Sequence, residues 1–135
     1  MSDLTDYTEG VIRDWMSQGT AAPAAPDPIY VALHTSDPGE SPDGSTEVSA
    51  GDYSRQSTTA GTDWDTPNEN DFDNTNEISF GVATSDWGTI SHVSLWDGSA
   101  GADNCLAAYA LSSSKTINTD DEAVFRAGDL SFSLD

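Results

Sequence analysis

From Pro28 onward the apolar residues of this chain recur at every second position, and that period narrows the fold more than any other feature. Ile29, Val31 and Leu33 alternate with Tyr30, Ala32 and His34. Successive side chains of an extended strand point to opposite faces, so the pattern predicts a strand with one buried face. The same period marks further strands at Tyr53 to Thr58, Glu77 to Phe80, Ile90 to Trp96, Cys105 to Leu111, Ala123 to Arg126 and Leu130 to Leu134. Runs rich in Gly, Pro, Asp and Ser separate them, notably DPGESPDGS and WDGSAGADN. About seven short strands joined by such turns predict a mainly β fold, an antiparallel β-sandwich or small barrel.

Only the start of the chain departs from this period. Leu4, Tyr7, Val11, Ile12, Trp15 and Met16 recur at helical spacing on one face. They predict one amphipathic helix over about residues 3–17, with Ser2 or Asp3 as its cap and Gly19 as its stop. The TAAPAAPDP that follows cannot stay helical for long. The expected organisation is therefore a helical segment 1–20, an Ala/Pro linker 21–28 and a β-sandwich domain 29–135. The segment 61–76, GTDWDTPNENDFDNTN, is almost wholly polar around Trp64 and Phe72. It reads as a long surface loop whose two aromatics dock somewhere.

Charge constrains the medium and the partners. The 135 residues carry 24 Asp and Glu against four cations, Arg13, Arg55, Lys115 and Arg126, for a net charge of −20. Exposed charges feel one another over about 30 Å at 0.01 M salt but only about 3 Å at 1 M, so a surface of this kind suits very salty water. With no basic patch to displace counterions, nucleic acid is excluded as a partner. A hydrophobic share of 36% allows only a small core. No apolar run reaches the length of a membrane span, and MSDLTDYTEG lacks the layout of a secretory signal. Synthesis in the host cytoplasm and no membrane insertion are expected.

The sequence offers little catalytic chemistry. The acids Asp63, Asp65, Asp71 and Asp73 could present hard oxygen ligands to Ca²⁺ or Mg²⁺. Yet Asn76 and Val82 stand where a calcium loop opening at Asp71 needs Gly and Glu. A solvated acidic loop is the plainer reading, and no metal site or cofactor is assigned. His34 and His92 lie in predicted strands, and nothing in the spacing brings Cys105 beside them as a third zinc ligand. There is no G-x-S-x-G elbow, phosphate-binding glycine loop or paired C-x-x-C. No enzyme is expected. Trp64, Trp87, Trp96, Tyr53 and Tyr109 are either contact anchors or the filling of a small core.

Several segments stand in a recognisable order: Ile29–Pro38 (IYVALHTSDP), Gly51–Gln56 (GDYSRQ), Asp86–His92 (DWGTISH), Ser114–Asn118 (SKTIN), Ala127–Leu130 (AGDL) and the closing SLD. Together with the N-terminal helix they resemble a family of small tailed-phage virion structural proteins, often loosely labelled tail fibre proteins. The resemblance implies a compact β-domain located on the virion. It would assemble as a homo-oligomer and contact other virion proteins such as the major capsid protein or tail proteins. It carries over no catalytic residues. Joined to the acidity, it points to a tailed virus of a halophilic archaeon.

The preferred expectation is a capsid decoration or turret component forming a symmetric oligomer on the particle surface. Its interface candidates are Leu4, Tyr7, Val11, Ile12, Trp15 and Met16. The alternative is a tail-associated fibre or tip protein that binds the host cell surface through Trp64 and Phe72.

Overall fold

A computed structural model of the chain describes residues 2–100 and 103–135. Met1 of the predicted helical segment, and Gly101 and Ala102 of the predicted turn after Trp96, lie outside the described residues. The elements run α1 (Asp6–Ser17), β1 (Ile29–His34), β2 (Gln56–Thr58), β3 (Trp64–Asp65), β4 (Asp71–Asn74), β5 (Ile78–Val82), β6 (Gly88–Trp96), β7 (Cys105–Ile117), β8 (Glu122–Phe125) and β9 (Ser131–Ser133). The fold is mainly β with one N-terminal helix and antiparallel sheets in a sandwich-like arrangement, as the period-two pattern predicts.

A four-stranded sheet in the order β2-β1-β6-β7 forms one layer. Its register opposes Val31 to Leu95 and Leu33 to Val93, while Leu95 in turn faces Ala107 across β7. Alternation of side chains therefore places Val31, Leu33, Val93, Leu95 and Ala107 together on one face. The two smaller sheets, β5-β8 and β3-β4-β9, supply the opposite layer. Ile78, Phe80, Ala123, Phe125, Leu130 and Phe132 from these sheets and their turns join the first set in one buried cluster. Aromatic rings compensate for the scarcity of large aliphatics: Phe80 stands 6.0 Å from Tyr53 and 6.2 Å from Phe125 between ring centroids.

The predicted single buried face of β1 needs correction. Ala32 and His34 on its other face are as buried as Val31 and Leu33. The reason is tertiary: the connection from Thr35 to Arg55 and the turn after Trp96 fold over that face. Ala32 packs there with Trp96 and Cys105.

The segment 61–76 is not a long loop. It contains β3 and β4, and β4 pairs with β9 so that Phe72 lies opposite Phe132. A strand of Asp-Phe-Asp-Asn carries too little apolar content to be recognised alone. β7 also continues past the predicted Leu111 to Ile117, with a register shift where Ile90 opposes Lys115 but His92 opposes Ala110. A bulge of this kind breaks the alternation on which the sequence reading relied.

The helix begins later than its spacing predicts, and neither Ser2 nor Asp3 caps it. Thr5 occupies the cap position with extended backbone, but its hydroxyl donates to the Cys105 carbonyl rather than to the helix. Residues 3–5 are instead held as a strand-like segment along β7. At the other end Gln18 N–H donates to Asp14 O, and Gly19 follows with φ +68°, the left-handed conformation that suits glycine after a helix.

Candidate functional site

The most distinctive surface is built by residues 2–17, an arm that joins the two layers and then turns into α1. Asp3 N–H donates to Ser133 O at 2.7 Å, while Ala108 N–H donates to Asp3 O at 2.8 Å. The Asp3 carboxylate accepts from Ser133 N–H, and Thr5 N–H donates to Leu106 O. Leu4 and Ala107 are thereby antiparallel partners in an isolated bridge. One short segment thus occupies the gap between β7 of the large sheet and β9 of the opposite layer. It satisfies strand-edge groups that would otherwise face water or another chain. Burial raises the Asp3 carboxyl above the usual carboxylate range, the Ser133 amide works against that, and Asp71 adds to it.

Beyond Thr5 the helix rests on β7 without burying any residue completely. Thr8 Oγ1 donates to Leu106 O, and Asp6 is held by Ser41 Oγ and, through its own N–H, by Glu40 O. Leu4, Val11 and Ile12 line an apolar groove of about 370 Å³ together with Ile29, Leu95 and Pro23. The remaining candidates on this face stay in solvent: Tyr7 is 44%, Trp15 48% and Met16 75% exposed. So the structure gathers Leu4, Val11 and Ile12 against the body with Tyr7 at the rim of the same groove, and leaves Trp15 and Met16 outside it. An indole and a thioether exposed at successive helix positions on so acidic a protein are suited to being covered by another surface.

Trp64 and Phe72 do come together, 5.7 Å apart between ring centroids, but as part of an inward-facing cluster. Both rings pack on Phe132, at 6.0 and 5.4 Å, and Tyr109 meets Phe132 edge-on at 4.8 Å. The Trp64 indole N–H is spent on Thr58 Oγ1, and that hydroxyl donates onward to Ile29 O. The pair ties the small sheet to β1 and β2.

The four candidate cation ligands do not converge. Asp63 accepts from Thr59 N–H and Asn76 Nδ2, which together hold it below the usual carboxylate range. Asp65 caps Thr66 N–H, Asp71 accepts from Asn68 Nδ2, and Asp73 accepts from Ser131 Oγ. Among the described residues no group of three or more His, Cys, Asp or Glu side chains is placed to hold a metal ion.

Aspartate outnumbers glutamate eighteen to six, and the structure gives a reason beyond charge. A short carboxylate reaches main-chain N–H groups two or three residues away, as Asp37, Asp43, Asp121 and Asp129 do. Asp52 joins distant segments: it accepts from Ser85 Oγ, Thr84 N–H and Trp87 Nε1, and these donors hold its carboxyl far below the ordinary value.

Sequence reasoning missed a polar network under the loops on the second face of the large sheet. Arg55 forms two parallel contacts with Glu47, Nη2 to Oε1 at 2.8 Å and Nε to Oε2 at 3.0 Å. Its Nη1 donates to the carbonyls of Gly98 and Ala100. Glu47 also accepts from Tyr53 Oη, which itself accepts from Leu33 N–H. His34 bridges Thr46 Oγ1 and Ser94 Oγ, and Trp96 Nε1 donates to that same serine. Burial brings the His34 imidazole down to about 4, with Arg55 and His92 acting in the same direction and Glu47 opposing them, while burial pushes the Cys105 thiol up to about 12. Both groups are thus uncharged at neutral pH. Among the described residues no buried side-chain N or O lacks a partner. The one signal available in the sequence was Arg55 itself, one of only four cations, two positions after Tyr53 in a predicted strand.

The other cations are dispersed. Arg13 pairs with its exposed neighbour Asp14, Lys115 lies over Phe125, and Arg126 follows β8.

A family model described as "Podophage GP4 fiber I protein gp80" matches residues 3–133. No curated protein matches the chain.

Proposed function

The chain belongs to the podophage GP4 fiber I protein gp80 family, and from that premise we propose that it is a fibre-type component of a tailed virion's exterior, assembling as a symmetric oligomer adapted to molar salt. Membership makes it a structural protein of a tailed-phage virion. The finer reading rests chiefly on one observation: Tyr7, Trp15 and Met16 stand exposed on the helix of a protein whose charge is otherwise −20. Such a patch is suited to contact with a neighbouring chain rather than with water. The fibre description of the family favours a fibre over the capsid decoration or turret expected from the sequence. The buried positions of Arg55 and the scattered remaining cations favour an outward-facing location away from the genome.

The particle itself provides the test. Virions washed in molar NaCl are analysed by quantitative mass spectrometry and labelled with antibody against this chain. A fibre component is present at copy numbers matching the tail proteins and labels discrete points. Copy numbers matching the major capsid protein, with label over the whole head, would move the assignment to a decoration protein. Absence from washed particles would overturn the virion role.

A further inference from the structure

The arm is bound to the body in a way that a second copy could reproduce without loss. Its attachment consists of main-chain hydrogen bonds between Asp3 or Thr5 and Ser133, Leu106 and Ala108, further bonds of Asp3, Thr5, Asp6 and Thr8 to Ser133, Cys105, Glu40, Ser41 and Leu106, and the partial cover of Leu4, Val11 and Ile12 over the groove. None of these contacts depends on the arm and the slot belonging to one chain. Between arm and body runs the segment 18–28, exposed throughout, with Pro23, Pro26 and Pro28. Eleven residues biased towards polyproline geometry span about 34 Å at about 3.1 Å each, enough to reach an adjacent domain.

The slot cannot comfortably stand empty. Without the arm, the main-chain groups of Leu106, Ala108 and Ser133 that now bond to it would be left as unpaired strand edges on two sheets, with an apolar groove beside them. The closed arrangement also leaves Trp15 and Met16 unused, with Tyr7 only at the rim of the groove. In a ring of copies, each giving an arm to the next and receiving one, every slot is filled as it is now. The overhanging half of the helix then lies beside a neighbour. Such exchange is a low-cost route to a closed oligomer because the contacts already exist and only the connection changes.

We infer that residues 2–17 are an exchangeable arm: in the assembled protein the arm of one copy occupies the gap between β7 and β9 of another copy. The inference rests on the proposed function only for the existence of an oligomer. Its test uses purified protein, so its failure is distinguishable from failure of the virion assignment.

The bridge between Leu4 and Ala107 supplies the experiment. These residues form the non-hydrogen-bonded type of antiparallel pair, because the flanking bonds run from Thr5 to Leu106 and from Ala108 to Asp3. Side chains at such pairs are close enough for a disulfide. In a Cys105→Ala background, chains carrying Leu4→Cys and differently tagged chains carrying Ala107→Cys are co-expressed and oxidised in molar NaCl, with circular dichroism confirming the fold. Exchange yields a disulfide between the two kinds of chain as the main oxidised product, located at residues 4 and 107 by peptide mass spectrometry. If the chains stay unlinked while Leu4→Cys/Ala107→Cys within one chain closes as a monomer, the inference is overturned. A second variant lacks residues 21–25 and leaves arm and slot intact. Exchange predicts a higher oligomer fraction for it in molar salt, and a monomer there would equally overturn the inference.

Discussion

The guanidinium carbon of Arg55 stands 3.9 Å from the centroid of the Trp96 ring while the same group grips Glu47 through two parallel contacts. One cation is thus stacked, paired and bonded to two carbonyls at once, and it pins the connection from Thr35 to Arg55 and the turn after Trp96 onto the large sheet. Planar, multiply donating geometry of this kind suits arginine and not lysine.

Removing that cation should be expensive. Arg55→Met leaves the largely covered Glu47 carboxylate with only Tyr53 as a side-chain donor, and the expected loss is about 3 kcal/mol. Arg55→Lys keeps the charge but not the fork and should remain clearly below wild type. Urea denaturation in molar NaCl measures both. A double variant Arg55→Met/Glu47→Leu should lose less than the sum of the two single changes, since neither partner is then left charged and alone.

Acid should destabilise the fold through His34 as soon as the pH falls below the ordinary histidine value. The folded His34 value of about 4 lies below the ordinary 6.5, so the unfolded chain binds more protons between these limits. The contribution is complete above pH 6.5 and falls away as pH drops towards 4, by about 3 kcal/mol in total. His34→Gln, which removes the titrating ring, should flatten stability over this window. Denaturation midpoints from pH 7 to pH 4 provide the check, and an unchanged slope in the variant would assign the effect elsewhere.

Asn74 is a second fixed point. Its side chain accepts from Leu130 N–H at 2.9 Å and donates to the carbonyls of Asn76 and Arg126, both at 2.9 Å. Asn74→Ala strands these groups in the interior and should cost about 3 kcal/mol. Asn74→Asp turns two donated bonds into a carboxylate facing two carbonyl oxygens, and it should be the worse of the two by thermal denaturation despite being nearly isosteric.

Asp52 should matter for geometry rather than charge. Asp52→Asn removes one acceptor oxygen from a site where three donors converge, and places an NH₂ group among them. The melting temperature should fall, and Trp87 fluorescence should report the loosened loop. Substituting Glu69, an exposed acid outside every strand, should leave both unchanged.

Salt should stabilise the whole molecule. Diluting NaCl from about 1 M to about 0.01 M lengthens the reach of exposed charges from about 3 to about 30 Å. With −20 on 135 residues, the melting temperature and the oligomer fraction should both fall together. Light scattering and calorimetry along one NaCl series measure them. A protein indifferent to dilution would show that the intramolecular aspartate caps, not screening, accommodate the acidity.

The sequence alone determined the β class, the N-terminal helix with its glycine stop, and the positions of most strands, because period and turn chemistry are local properties carried by neighbouring residues. It also determined the acidic surface and the absence of a catalytic motif. It placed Tyr7, Trp15 and Met16 on one helix face, but not which of the six candidates would remain in solvent. Only the tertiary structure decided that Asp-Phe-Asp-Asn forms β4, since Phe132, sixty positions away, makes Phe72 a strand residue. Only it showed that Thr5 spends its hydroxyl on Cys105 instead of capping α1, that Arg55 lies inside, and that residues 3–5 close the gap between two sheets. Each of these depends on groups far apart in the chain meeting where water is excluded, and no local pattern records such a meeting.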